Sequence, residues 1–303
     1  MNKRCRFFFP LALSLASMAG LHAAEPASSG RGTVPRPVHS DDVRIEKDIV
    51  YLGPERAEKA DLYQPAQIAP GQRFPAVVII HGGGWTYGDK GAAREINIGT
   101  NLARAGYVGL SINYTLAAKE RTTPAWPQNL HDCKTAVRWL RKNAEKLHID
   151  PDNIGAIGGS AGGHLAAMLA ITEANAGLDP TGPYGEFPCT VRCAVDLYGP
   201  ILWFRDRDLG MFRKTRTEAP ELYRQGSPLT HVDKDDPPIL ILHGTKDTVV
   251  SVEDSEAFAA ALEQAGVEHQ IVVIPEAPHS FHLQPKQRDL RPLVLGFFDR
   301  HLK

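Results

Sequence analysis

Only 4 cysteines occur in 303 residues, none in a C-x-x-C pair, and no H-E-x-x-H segment is present. The ligand spacings of common zinc and dithiol centres are therefore missing, and neither a metal nor another cofactor is expected. His279 and His282 stand three residues apart, but no third ligand lies near them in sequence. Excess charge is also lacking. The chain has 34 basic against 35 acidic residues and no basic patch interleaved with aromatics, so nucleic acid is not an expected partner. Internal repeats and a second linker are absent too, which favours a single folded domain.

The N-terminus has a separate character. Lys3, Arg4 and Arg6 precede an apolar stretch from Phe7 to Leu21, followed by Ala23 and Ala24. This order predicts a secretory signal peptide over residues 1–24 and export to the periplasm or the medium. A retained anchor is the alternative, but Pro10 interrupts the stretch and its length is short for a membrane span, so stable membrane insertion is not expected. Cys5 lies too early, within the charged region, to be a lipid-modified cysteine. Residues 25–42, rich in Pro, Gly, Ser and charge, are expected to be a flexible lead-in, with the folded domain over 43–303. Cys133 falls on the apolar side of an expected helix and reads as packing. A Cys189–Cys193 bridge stays open, since it needs a turn between the two residues.

Short apolar runs alternate with helical stretches through the domain. Val43 to Leu52 and Asp61 to Tyr63 suggest an antiparallel opening pair. Ala76 to Ile80, Tyr107 to Tyr114, Ile154 to Ile157, Cys193 to Tyr198, Ile239 to Leu242 and Gln270 to Ile274 follow as strands. The continuous apolarity of Ala76 to Ile80 is that of a strand buried on both faces. Leu130, Cys133, Val137 and Leu140 repeat at helical spacing. The pattern predicts an α/β architecture of about eight strands, mostly parallel, with helices on both faces. The stretch 172–236 exceeds a simple crossover and suggests a partial cover; its Trp203, Phe204 and Phe212 either line a substrate pocket or pack the insertion against the domain.

In such sheets ligands bind beyond the carboxyl ends of the strands. Four strands end there in reactive or glycine-rich segments: His81-Gly82-Gly83-Gly84-Trp85, Gly158-Gly159-Ser160-Ala161-Gly162, His243-Gly244-Thr245-Lys246-Asp247 and Pro275-Glu276-Ala277-Pro278-His279. G-x-S-x-G alone also fits a tight strand-to-helix turn without chemistry. It is neither a P-loop, lacking the Lys-Ser/Thr pair, nor a dinucleotide fingerprint, with Ser160 where the middle glycine belongs. The order Ser160, Asp247, His279 is that of an α/β-hydrolase. A serine hydroxyl needs a base to be nucleophilic, so His279 is the expected base and Asp247 the residue that orients it. Gly83, Gly84 and Ala161 are the expected amide donors to an oxyanion, each contributing about 3 kcal/mol to lowering the barrier. His282 is the alternative base but lies farther from the strand end. Asp233, Asp235 and Asp236 precede their strand, Asp196 lies within one, and Glu276 is too close to His279 to reach back. His81, His164 and Asp132 read as structural residues.

Taken together, these segments, with Gly88-Asp89-Lys90 and Pro278-His279-Ser280-Phe281, resemble the HGGG-containing α/β-hydrolases related to hormone-sensitive lipase. Asp61-Leu62-Tyr63-Gln64-Pro65 sharpens the resemblance toward bacterial exported feruloyl and acetylxylan esterases. Lipase relatives usually carry Asp before the serine and Asn after the second glycine pair, and Gly159 and His164 here fit the feruloyl or acetylxylan side. The resemblance implies an exported serine esterase acting on small or carbohydrate-linked carboxylic esters, with Trp85 beside the substrate. An arylformamidase-like amidase and a non-catalytic binding protein on the same fold are the alternatives.

Overall fold

Every residue of Phe74–Ile80 is buried, and successive side chains of a strand point to opposite faces, so this segment must be covered on both sides. The computed structural model describes residues 42–117, 119, 122–172 and 176–303. Its strands are β1 (Val43–Ile49), β2 (Ala60–Pro65), β3 (Phe74–Ile80), β4 (Val108–Ile112), β5 (Ile149–Gly159), β6 (Ala194–Leu197), β7 (Ile239–Gly244) and β8 (His269–Ile274). They form one eight-stranded sheet in the order β1-β2-β4-β3-β5-β6-β7-β8. The β1–β2 and β2–β4 pairs are antiparallel and the remaining pairs are parallel.

The helices are α1 (Ala93–Arg104), α2 (Gln128–Lys142), α3 (Ala161–Ile171), α4 (Trp203–Asp206), α5 (Pro220–Gly226), α6 (Val252–Ala265) and α7 (Arg291–Leu302). Alternation along β3 sorts them into two layers. Ala76, Val78 and Ile80 join the core with Leu130 and Val137 of α2, Leu165 of α3 and Phe258 of α6. Val77 and Ile79 join the opposite core with Ile98 and Leu102 of α1 and Phe298 of α7. Each of the four β3 residues Val77 to Ile80 is fully buried, contributing about 1.5–3 kcal/mol from its side chain. Helix α3 is buried along its whole length, as a helix apolar on all sides must be.

The largest departures from the expected strand limits are in β1 and β5. β1 stops at Ile49 rather than Leu52, and β5 begins at Ile149 instead of Ile154. Phe74 pairs with Ile149 but Ala76 already pairs with Ile154, so β5 bulges through Pro151 and Asp152, residues that locally read as a turn. Cys133, Cys189 and Cys193 are buried free thiols, so the Cys189–Cys193 bridge left open by the sequence is not formed. The expected signal peptide and all but the last residue of the lead-in lie outside the described residues. Among the described residues no helix is long and apolar enough to cross a membrane.

Candidate active site

β5 ends by turning directly into α3 at Ser160, which holds φ 58° and ψ −124°. Positive φ is costly for a residue with a side chain and persists only where the surroundings enforce it. Here the glycines do so by letting backbones touch: a Cβ on Gly158 would collide with the Gly162 carbonyl, and one on Gly162 with the Ile80 carbonyl. The Ser160 amide donates to the Leu197 carbonyl at 2.8 Å, tying the turn to β6.

The structure brings Ser160, His279 and Asp247 into one chain of contacts. Ser160 Oγ lies 3.0 Å from His279 Nε2, and His279 Nδ1 lies 2.6 Å from Asp247 Oδ2. The Asp247 carboxylate is 1% exposed and its Oδ1 accepts the amides of Val249 and Val250 at 2.8 and 2.9 Å. Burial pushes its pKa up, but hydrogen bonds from His243, His279 and the two amides outweigh this and hold it well below the usual carboxylate range. An ionised Asp247 accepts a hydrogen bond from His279 Nδ1–H, which leaves the Nε2 lone pair facing the serine hydroxyl.

A second histidine, His243, lies beneath the acid. Its Nε2 is 3.3 Å from Asp247 Oδ2 and 3.0 Å from the Val250 carbonyl, while Nδ1 meets Ser255 Oγ at 2.7 Å. Burial lowers its pKa, but the Asp247 hydrogen bond and the Val250 carbonyl outweigh that and leave it raised. The sequence places His243 at the same strand end as Asp247; the signal was its four-residue spacing from the acid, which no sequence role absorbed. Two other contributors carry no sequence signal. Arg94 lines the cavity, and Tyr114 supports the glycine loop from 33 residues away.

That loop follows β3. His81 is buried, stacks on Tyr114 with ring centroids 4.3 Å apart, and places Nδ1 2.7 Å from the Gly82 carbonyl. Burial lowers its pKa to about 4, so it is neutral and Nδ1–H is the donor. Tyr114 donates its hydroxyl to the His81 carbonyl at 2.9 Å, and the Gly83 carbonyl accepts the amides of Thr86 and Tyr87. Gly83, Gly84 and Ala161 line a cavity of about 550 Å³ together with Ser160, His279 and Arg94. Ala161 is the first residue of α3, so its amide has no acceptor within the helix.

The remaining candidates separate cleanly. Trp85 lines the cavity yet is 2% exposed; its ring packs against His164, Trp203 and Phe204 and so forms wall more than contact surface. Of the three aromatics that the sequence singles out in the 172–236 stretch, Trp203 reaches the cavity while Phe204 and Phe212 are buried in the core. His164 is fully buried, with Nε2 2.8 Å from the Gly226 carbonyl, and burial lowers its pKa to about 4. His282 accepts the Gln284 amide rather than facing Ser160. Asp132 is buried inside α2, where it accepts Arg56, Gln128 and both the amide and hydroxyl of Thr115. Among the described residues no cluster of three or more His, Cys, Asp or Glu side chains is arranged to hold a metal ion.

Comparison with known proteins follows the same geometry. Residues 60–262 match the BD-FAE family model. The chain is 30% identical over 247 residues to the esterase LipQ of Mycobacterium tuberculosis (strain ATCC 25618 / H37Rv), covering 78% of this chain and 57% of LipQ. It spans about three fifths of the length of the curated relatives it matches. Among solved structures, a truncated carbohydrate esterase from gut microbiota superposes with a TM-score of 0.78 at 26% identity, over 88% of this chain and 98% of that one. A thermophilic esterase of Thermogutta terrifontis with butyrate bound superposes with a TM-score of 0.69 at 27% identity, over 86% and 92% of the two chains.

Proposed function

The chain belongs to the BD-FAE family, and from that membership we propose that it is an exported serine esterase cleaving small or carbohydrate-linked carboxylic esters of acetyl or feruloyl type. The observation that carries the proposal is the unbroken contact from Ser160 Oγ through His279 to Asp247, on the wall of a cavity bounded by the Gly82–Trp85 loop. The similarity to a carbohydrate esterase and to a butyrate-bound esterase supports the substrate class. Export rests on the basic, apolar and small-residue order of residues 1–24.

In this reading His279 Nε2 takes the Ser160 proton as Oγ bonds to the ester carbonyl carbon. The negative charge that develops on the carbonyl oxygen is met by the amides of Gly83, Gly84 and Ala161. Collapse expels the alcohol, which leaves with the proton from His279, and the acyl group remains on Ser160. Water then repeats the sequence: His279 removes its proton, the second tetrahedral species forms, and the carboxylic acid departs with Ser160 regenerated.

A panel of acetyl, butyryl and feruloyl esters with acetylated xylan tests the substrate, and intact-mass detection of a fluorophosphonate adduct tests the nucleophile. Ser160→Ala should abolish the adduct and lower kcat about a millionfold. A loss of only tenfold, or no adduct on the unmodified serine, removes the serine-esterase reading. Preferential hydrolysis of N-formylkynurenine assigns the same machinery to an amide, and N-terminal sequencing of protein recovered outside the cytoplasm checks for cleavage after Ala24.

A further inference from the structure

His279 sits on a loop rather than on a regular element, and its two ring contacts orient the imidazole only if the loop places its Cα correctly. The N-terminal side of the loop is anchored to the end of β7. Thr245 Oγ1 accepts the Glu276 amide at 2.8 Å, and the Ala277 carbonyl accepts the Lys246 amide at 3.0 Å. Beyond His279 the chain passes through Ser280 at φ 65°, so a second anchor is needed on the far side.

Tyr198 supplies it. Fully buried at the end of β6 with φ 47°, it donates its hydroxyl to the Phe281 carbonyl at 2.6 Å. Its amide is pinned to the Leu242 carbonyl at 2.8 Å. The ring packs edge-on against both His279 and Phe281, with centroids 4.8 and 4.6 Å away. The hydroxyl in turn accepts Arg94 Nη1 at 3.0 Å. Arg94 is 12% exposed, and its charge is balanced by the buried Glu95, whose Oε1 receives Nε at 2.8 Å and Nη2 at 2.5 Å. A donor of this charge polarises the phenol and strengthens its own donation onward. Gly159 leaves the space for the arrangement: a Cβ there would lie 2.5 Å from Arg94 Nη1 and 2.9 Å from Tyr198 Oη.

We infer that Tyr198, held by Arg94, is a positioning residue for His279. The inference rests on the serine-esterase reading. Tyr198→Phe keeps both ring contacts and removes only the link from Arg94 to Phe281. With p-nitrophenyl acetate, the full chain carrying Tyr198→Phe should lose kcat roughly ten- to hundredfold, because displacement of a catalytic base is costly, while KM stays within about twofold. The fluorophosphonate reaction at Ser160 should slow in parallel. Arg94→Lys, which keeps a cationic donor, should retain more kcat than Arg94→Met, and this pair carries the test if Tyr198→Phe does not fold. Tyr198→Phe with kcat within twofold of wild type, a parallel change in kcat and KM, or equal activity of the two Arg94 variants overturns the positioning role. Absence of any adduct on the unaltered protein instead sinks the esterase reading, and the inference with it.

Discussion

Replacing Asp247 by asparagine should reverse the hydrogen-bond direction through His279. The amide oxygen of asparagine can still accept the amides of Val249 and Val250, which now bind Oδ1 at 2.8 and 2.9 Å. That fixes the side chain with its NH₂ group where Oδ2 now contacts His279 Nδ1 at 2.6 Å. An NH₂ group only donates, so Nδ1 must accept, and the imidazole proton moves to Nε2. Ser160 then faces a donor instead of a base. Loss of the correct tautomer costs about 10⁴-fold in kcat, or about 5.5 kcal/mol of barrier. Side-chain volume is nearly unchanged and His243 Nε2 keeps the Val250 carbonyl at 3.0 Å, so the fold should survive. The stability that the depressed Asp247 pKa confers is full above the ordinary carboxylate range and is lost as pH falls through the folded-state value, so wild type and variant should converge in acid. Steady-state turnover at neutral pH, with active sites counted by fluorophosphonate and folding checked by circular dichroism, decides the matter. A folded variant that loses tenfold or less would refute the orienting role of Asp247.

Two further predictions concern buried carboxylates outside the proposed catalytic group. Asp196 is fully buried, and burial raises its pKa to about 7 against the opposing pull of His243 and the Gly199 amide. A raised folded pKa means stability that is present in acid and lost as pH rises, so wild type should lose about 2–3 kcal/mol between pH 5 and pH 8 from this group. Urea unfolding of Asp196→Asn against wild type should show a difference that shifts by that amount, and a pH-independent difference would contradict the burial argument. Asp132→Ala should cost about 1–3 kcal/mol, because it leaves the buried Thr115 amide without its acceptor, while Arg56 keeps the Glu58 carboxylate at 2.8 Å. Its kcat per folded molecule should stay within about threefold of wild type, and a large kcat loss at unchanged stability would move Asp132 into the site.

What the sequence made legible was whatever is encoded over a few residues. Each of the three proposed catalytic residues follows an apolar run within five residues, and a parallel sheet brings all such ends to one edge, so Ser160, Asp247 and His279 can be proposed without knowing a single distance. The bulge in β5 was hidden because Pro151 and Asp152 resemble a turn locally, while the β3 pairing that absorbs them is set by a distant strand. Trp85 is legible only in part: adjacency to the glycine loop places it beside the cavity, but whether its ring faces solvent or core depends on Trp203 and Phe204, more than a hundred residues later. Tyr198 is the clearest case. Its partners, Arg94 on one side and His279 and Phe281 on the other, lie on two stretches of chain far from Tyr198 and from each other, and nothing in the run Ala194 to Leu197 distinguishes the next residue from an ordinary strand end. Chemistry in this fold is therefore written locally at the strand ends, whereas the precision of that chemistry depends on side chains that meet only after folding. A change at Arg94 or Tyr198 would leave every recognisable motif intact while altering the placement of His279, so motif retention alone is a weak guide to rate in such a protein.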